Sequence, residues 1–155
     1  AAIGGFIAGS KTTINYIRHH ARSYIFSASC TPAATAAVGK SLEIMLREPE
    51  RVEALQEKTR YCLEKFRKLG FEIGNTSTPI IPLFVRDNEK TFRVTAELFH
   101  EGVFVNPVVA PAVAPEDTLI RFSLMATHTY EQLDTAIEKI TAVFRRLDIP
   151  LHPQA

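Results

Sequence analysis

Val52, Leu55, Thr59, Cys62, Phe66 and Leu69 recur every three or four residues, and Gly70 closes the run. That spacing is the period of one helix face. It predicts an amphipathic helix opened by Pro49, with Glu57, Lys58, Glu64, Lys65, Arg67 and Lys68 on its wet side. Leu133, Ile137, Ile140, Phe144 and Leu147 repeat the pattern behind Thr129, a cap residue whose capping box Gln132 completes. Thr91 to Glu101, closed by Gly102, predicts a third helix. Short apolar runs predict strands at Ile80–Val85, Val103–Val105 and Leu119–Met125. Pro79 and Pro82 keep the first of these from being central throughout. Asn106 to Pro115 carries Pro107, Pro111 and Pro115, which predicts a loop.

The first fifty residues follow a different pattern. Ile3 to Ala8 is a short apolar run between glycines, the signature of a buried strand. Ser10 is placed to cap a helix running to about Arg22, and Tyr24-Ile25-Phe26 forms a second apolar run. Thr31-Pro32 is a cap followed by proline in the first turn, which opens a closely packed, Ala-rich helix over Ala33 to Leu46. From about residue 75 the order is β-α-β-β-α, a small antiparallel sheet with helices on one face, an α+β unit. The first 30 residues do not belong to that unit. We therefore expect one region over residues 1–48 and a small α+β domain over 49–155.

Composition narrows the function classes. With 155 residues, 46% hydrophobic and 23% charged, the chain is not a disordered tail and has enough apolar side chains for a core. Lys+Arg 18 against Asp+Glu 17 leaves a net charge of +1, which makes no electrostatic case for nucleic acid or an anionic membrane as partner. Cys30 and Cys62 lie outside any CxxC pattern and read as reduced thiols of a cytoplasmic protein. No apolar run approaches the roughly 18 residues of a membrane span, and no charged segment precedes the apolar start as in a signal peptide.

Most chemistry-bearing residues have plain readings. His19 and His20 are adjacent on a helix, point to different faces and cannot share a metal as an i,i+4 pair can. His100 suits a helix C-terminus, and His128 reads as a structural hydrogen-bonder between a strand and a cap. Gly4-Gly5 with Gly9 is not a dinucleotide fingerprint. Two places carry more. In Phe26-Ser27-Ala28-Ser29-Cys30-Thr31-Pro32, small hydroxyl residues precede a helix N-terminus, where free N–H groups favour an anion such as phosphate. The plainer alternative is a cap at Thr31 with serines filling a turn. Arg121 is a lone charge in the apolar strand Thr118-Leu119-Ile120-Arg121-Phe122-Ser123-Leu124. A guanidinium beside a cleft suits a carboxylate held by two parallel hydrogen bonds. An edge-strand arginine facing water is the alternative.

Several strings resemble the α-oxoamine synthase family, pyridoxal-phosphate (PLP) enzymes of the aspartate-aminotransferase fold (fold type I). They are Ile3-Gly4-Gly5-Phe6-Ile7-Ala8-Gly9-Ser10, Tyr24-Ile25-Phe26-Ser27-Ala28-Ser29, Pro32-Ala33, Gly102-Val103-Phe104-Val105-Asn106-Pro107, Pro111-Ala112-Val113, Leu119-Ile120-Arg121-Phe122-Ser123 and Ala126-Thr127-His128-Thr129. Such enzymes condense an amino acid with an acyl-CoA, in most members with decarboxylation. The resemblance covers nearly all of the chain. Its Gly-Gly-Phe sits closer to serine palmitoyltransferase-like members than to the glycine C-acetyltransferase or 8-amino-7-oxononanoate synthase types.

The resemblance implies that Arg121 grips the amino acid's carboxylate. It implies that Ser27 reaches the cofactor phosphate of a neighbouring subunit in a homodimer, with Ser29 as a further phosphate contact. The loop from Val108 to Val113 matches a segment near the acyl-CoA entrance. It reads Val109-Ala110-Pro111, without the additional arginine that sphingolipid-forming relatives can carry there. The family's Schiff-base lysine stands just before Gly-Gly-Phe, where only Ala1, Ala2 and Ile3 precede Gly4, and Lys11 lies on the wrong side. The expectation is therefore the C-terminal portion of a protein of about 400 residues by family analogy, inactive alone. A non-catalytic dimerisation or ligand-binding domain is the reading from another class.

Overall fold

The computed structural model describes residues 4–152. The chain divides into two compact units, Ala1–Pro49 and Glu50–Ala155.

The first unit holds three helices, α1 (Lys11–His20), α2 (Arg22–Ile25) and α3 (Pro32–Arg47). Their starts are set locally. The Thr13 N–H donates to Ser10 Oγ at 3.2 Å, and the Ala34 N–H donates to Thr31 Oγ1 at 3.3 Å with Pro32 in the first turn. Three expectations are corrected here. Gly4 to Ala8 form no strand, because a strand needs a ladder partner and these residues have none among the described residues; Ile3 lies outside them. The helix from Ser10 stops at His20 instead of Arg22, and Tyr24-Ile25 belongs to the short helix α2. Helix α3 forms but is not closely packed: no residue of it is buried, and Val38, Leu42, Met45 and Leu46 are exposed. Alanine side chains offer little area to bury, and no apolar layer within this unit faces them.

The second unit runs α4 (Glu50–Lys68), β1 (Ile80–Phe84), α5 (Asn88–His100), β2 (Asn106–Val108), a 3-10 turn (Pro115–Asp117), β3 (Leu119–Ser123) and α6 (Tyr130–Arg146). The sheet is antiparallel in the order β1-β3-β2. Both prolines in it, Pro82 and Pro107, fall on edge strands, where a missing N–H costs no central ladder bond. Ile81, Leu83, Ile120 and Phe122 point to one face and join Cys62, Phe66, Val94, Leu98, Leu133, Ile137, Ile140 and Phe144 in a single core. Period-2 alternation sends Arg121 and Ser123 to the other face.

One strand is displaced from its expected place. Val103 and Val105 are buried and Phe104 is exposed, the alternation of a strand, yet the ladder begins only at Asn106. The cause is how α5 ends. Gly102 takes φ +82°, its N–H donates to the Phe99 carbonyl, and the Val103 N–H donates to the Leu98 carbonyl at 2.8 Å. This Schellman closure commits the Val103 donor to the helix. Asn106 to Val108 thereby becomes strand where proline content predicted loop. Helix α5 also starts earlier than Thr91, because Asp87 accepts from the Lys90 N–H at 2.7 Å as its cap.

Candidate functional site

A cleft of about 910 Å³ opens in the second unit. Its lining includes Phe104 and Asn106 before and on β2, Arg121 and Ser123 on β3, His128 in the β3–α6 turn, and Glu131 and Lys139 on α6. Arg121 stands opposite Asn106 on one side and Pro82 on the other. The cleft expected beside it is present, while the alternative of an edge strand is corrected. It is on the central strand rather than an edge, and its side chain is exposed. The alternation that buries Ile120 and Phe122 leaves it on the open face. Among the described residues its guanidinium has no hydrogen bond or ion pair, so all five donors are available to a ligand.

The walls are fastened from behind. Lys139 Nζ donates to the Glu101 carbonyl at 2.5 Å, which ties α6 to the end of α5. The Lys58 ammonium donates to the Ala126 carbonyl and ties α4 to the turn after β3. In that turn the His128 N–H donates to the Met125 carbonyl at 3.2 Å, and the Met125 N–H donates to His128 Nδ1 at 3.2 Å. The expected capping box follows at once: the Gln132 N–H donates to Thr129 Oγ1 at 3.1 Å, and the Thr129 N–H donates to Gln132 Oε1 at 2.9 Å. The loop from Val108 to Val113 stays outside the cleft's lining.

Ser27 and Ser29 lie in the other unit, and both are exposed. The Ser27 hydroxyl donates to the Tyr24 carbonyl at 3.1 Å; the Ser29 hydroxyl has no partner among the described residues. Thr31 is the cap the plainer reading required. Lys11 is the exposed first residue of α1. The histidines at positions 19 and 20 turn Nδ1 back to the carbonyls of Asn15 and Tyr16. No cluster among the described residues has the makings of a metal site, and no described helix is long and apolar enough to cross a membrane. His128 is the structural hydrogen-bonder that its place between strand and cap suggested, and the fold also sets it in the cleft's lining with Arg121.

Residues 1–140 match the model of the family described as aminotransferase class I and II, and the chain belongs to that family. It is 61% identical over 149 residues to a serine palmitoyltransferase of Bacteroides thetaiotaomicron, covering 96% of this chain and 38% of that protein. It is 42% identical over 147 residues to an 8-amino-7-oxononanoate synthase of Bacillus pumilus, covering 95% of this chain and 38% of that protein. These are two of the enzyme types that the motif resemblance pointed to. Among solved structures, a serine palmitoyltransferase variant from S. paucimobilis with bound PLP-myriocin aldimine superposes with a TM-score of 0.77 at 26% identity, over 89% of this chain and 35% of that one. The fold is thus that of the fold type I enzymes, and the chain spans about 38% of the length of the curated relatives.

The residues present fit one part of a PLP site. Ser27 and Ser29 are accessible hydroxyls just ahead of the α3 N-terminus, which suits the rim of a phosphate. Ser27 must first turn away from the Tyr24 carbonyl to donate there.

Proposed function

We propose that the whole protein carrying this chain is a PLP-dependent C-acyltransferase that condenses an amino acid with an acyl-CoA, of the serine palmitoyltransferase type. The observation that carries this reading is Arg121: an unpartnered guanidinium on the central strand, lining a cleft, in a chain 61% identical to a serine palmitoyltransferase. When bound, PLP supplies an electron sink for a carbanion at the substrate's α-carbon. The chain's own residues bind and orient. Arg121 offers its planar fork to the amino acid's carboxylate, and two parallel charge-assisted hydrogen bonds fix the direction of the bonds at the α-carbon. Ser27 and Ser29 donate to the cofactor phosphate, across the interface of a homodimer. The units Ala1–Pro49 and Glu50–Ala155 then correspond to the end of a cofactor-binding domain and to a C-terminal small domain. The setting is cytoplasmic.

The test uses the full-length protein loaded with PLP. Serine, glycine or alanine is offered with a panel of acyl-CoAs, and CoA release is followed. Serine with a long-chain acyl-CoA is expected to be the productive pair. Turnover with alanine in place of serine moves the reading to the 8-amino-7-oxononanoate synthase type, which the 42% identity to the Bacillus pumilus enzyme supports; turnover with glycine moves it to the glycine C-acetyltransferase type. No release with any pair overturns it. Arg121→Ala is expected to weaken L-serine binding by about tenfold to a hundredfold with an unchanged melting temperature, since the side chain is exposed and holds nothing in place.

A further inference from the structure

We propose that His128 is a second donor to the carboxylate that Arg121 binds, through its Nε2–H. This deepens the reading of the cleft as a carboxylate site and rests on it. The imidazole lines the same cleft as Arg121. Its Nδ1 accepts the Met125 N–H at 3.2 Å, so the ring proton of the neutral tautomer sits on Nε2. Among the described residues Nε2 has no partner.

The ring is also held still. Its backbone N–H closes the turn onto the Met125 carbonyl, Lys58 holds the Ala126 carbonyl, and the Thr129–Gln132 box fixes the residue that follows. A donor fixed in advance loses little entropy on binding, which is what a substrate-positioning group requires. Charge in the lining is consistent with an anion near β3. Arg121 and Lys139 are cationic, and Lys139 is spent on the Glu101 carbonyl. Glu131 is the lining's acidic side chain and sits in the first turn of α6. A carboxylate seated between Arg121 and His128 would take the two parallel donors of the guanidinium and a further one from the imidazole. The competing account is that the bond from Met125 to Nδ1 is the ring's whole purpose, as a staple for the turn.

Two substitutions separate the accounts. In His128→Asn the amide oxygen occupies the place of Nδ1 and keeps an acceptor for Met125, but nothing reaches the place of Nε2. In His128→Gln the amide reaches the place of Nε2 and the acceptor near the backbone is lost. Equilibrium binding of L-serine and of L-serinamide, which lacks the carboxylate, is measured on the full-length PLP-loaded protein alongside thermal melting. We expect His128→Asn to weaken L-serine about tenfold and leave L-serinamide and the melting temperature unchanged, and His128→Gln to recover most of the L-serine affinity. Full L-serine affinity in His128→Asn overturns the proposal, as does an equal loss for both ligands in that variant. Arg121→Ala is run in parallel. If it weakens L-serine while His128→Asn does not, only the role of His128 falls. If Arg121→Ala leaves L-serine binding intact, the carboxylate reading of the cleft falls with it.

Discussion

Cys30 and Cys62 mark the two units, and they could hardly be more differently placed. Cys30 is exposed just ahead of α3, in a unit where no described residue is buried. Cys62 is 0% exposed on α4, inside a core that draws on every helix and on the β1 and β3 strands of its unit. Apolar side chains are present in both units. In the first, Phe6, Ile7, Phe26 and Leu46 stay between 67% and 88% exposed. The lesson concerns what makes a helix and what makes a core. Caps and local hydrogen bonds suffice to place α1 and α3, but burial requires apolar faces that meet. The helices α4, α5 and α6 have a sheet face to meet.

The largest effect this contrast predicts is in thiol reactivity. Burial is the main cause that pushes the Cys62 thiol up to about 11, with the nearby Asp134 charge adding to it and Lys65 opposing it. At neutral pH it holds only about one part in ten thousand of the reactive thiolate, behind a closed core. With iodoacetamide under native conditions, Cys30 should alkylate at least about a thousandfold faster than Cys62, and the two rates should converge in denaturant. Peptide mass mapping of a time course reads this directly. Comparable native rates would mean that the α4 core opens far more readily than its packing implies.

Core truncation gives the next largest effect. Phe66 is 0% exposed and meets Phe71 and Phe122 edge-on at centroid distances of 5.0 and 5.4 Å. In this chain by itself, Phe66→Ala should cost about 3–5 kcal/mol in urea unfolding, while Leu42→Ala on α3, 51% exposed here, should stay within about 0.5 kcal/mol. A comparable loss at Leu42 would break the comparison, by showing that α3 is packed where none of its residues is buried here.

The same contrast explains what could be read in advance. Periodicity located α4 and α6, and the caps at Ser10, Thr31 and Thr129 were legible because capping is a matter of a few adjacent residues. Long-range commitments were not. Ile3 to Ala8 has a strand's composition, but composition does not supply a pairing partner. Val103 to Val105 alternates like a strand, but the closure of α5 takes the Val103 N–H first. Arg121 stood out as a lone charge in an apolar strand. Its place on the central strand and the open face depended on sheet order, which its neighbours in sequence do not encode. His128 reads as a hydrogen-bonder between strand and cap and is one, since its Nδ1 accepts the Met125 N–H; its place in the cleft's lining is what the fold adds.

The smallest effect lies in the ion pairs. In the first unit, Lys40–Glu43 and Arg47–Glu48 join neighbours in sequence. In the second, Asp134 on α6 accepts from Lys65 Nζ at 2.5 Å and from the Tyr61 hydroxyl at 2.7 Å, both on α4. The Lys65 hydrogen bond, then that of Tyr61, holds the Asp134 carboxyl below its ordinary range, and the same contact raises the Lys65 ammonium. The signs follow from linkage. A depressed carboxyl contributes stability that is present above its unfolded value of about 3.9 and lost as the pH falls through the folded one. A raised ammonium contributes stability that is present below its unfolded value of about 10.4 and lost as the pH rises through the folded one. With the two side chains 38% and 37% exposed, solvent screening keeps the gain small. Asp134→Asn should therefore lower the urea midpoint slightly at neutral pH, and the difference from the parent should close on acidification through the carboxylate range. Lys40→Ala in α3 should show no such pH-dependent difference, because its pair fastens no element to another. A constant offset for Asp134→Asn at every pH would assign its cost to lost packing around Tyr61 and would remove the ion pair from the forces that join α4 to α6.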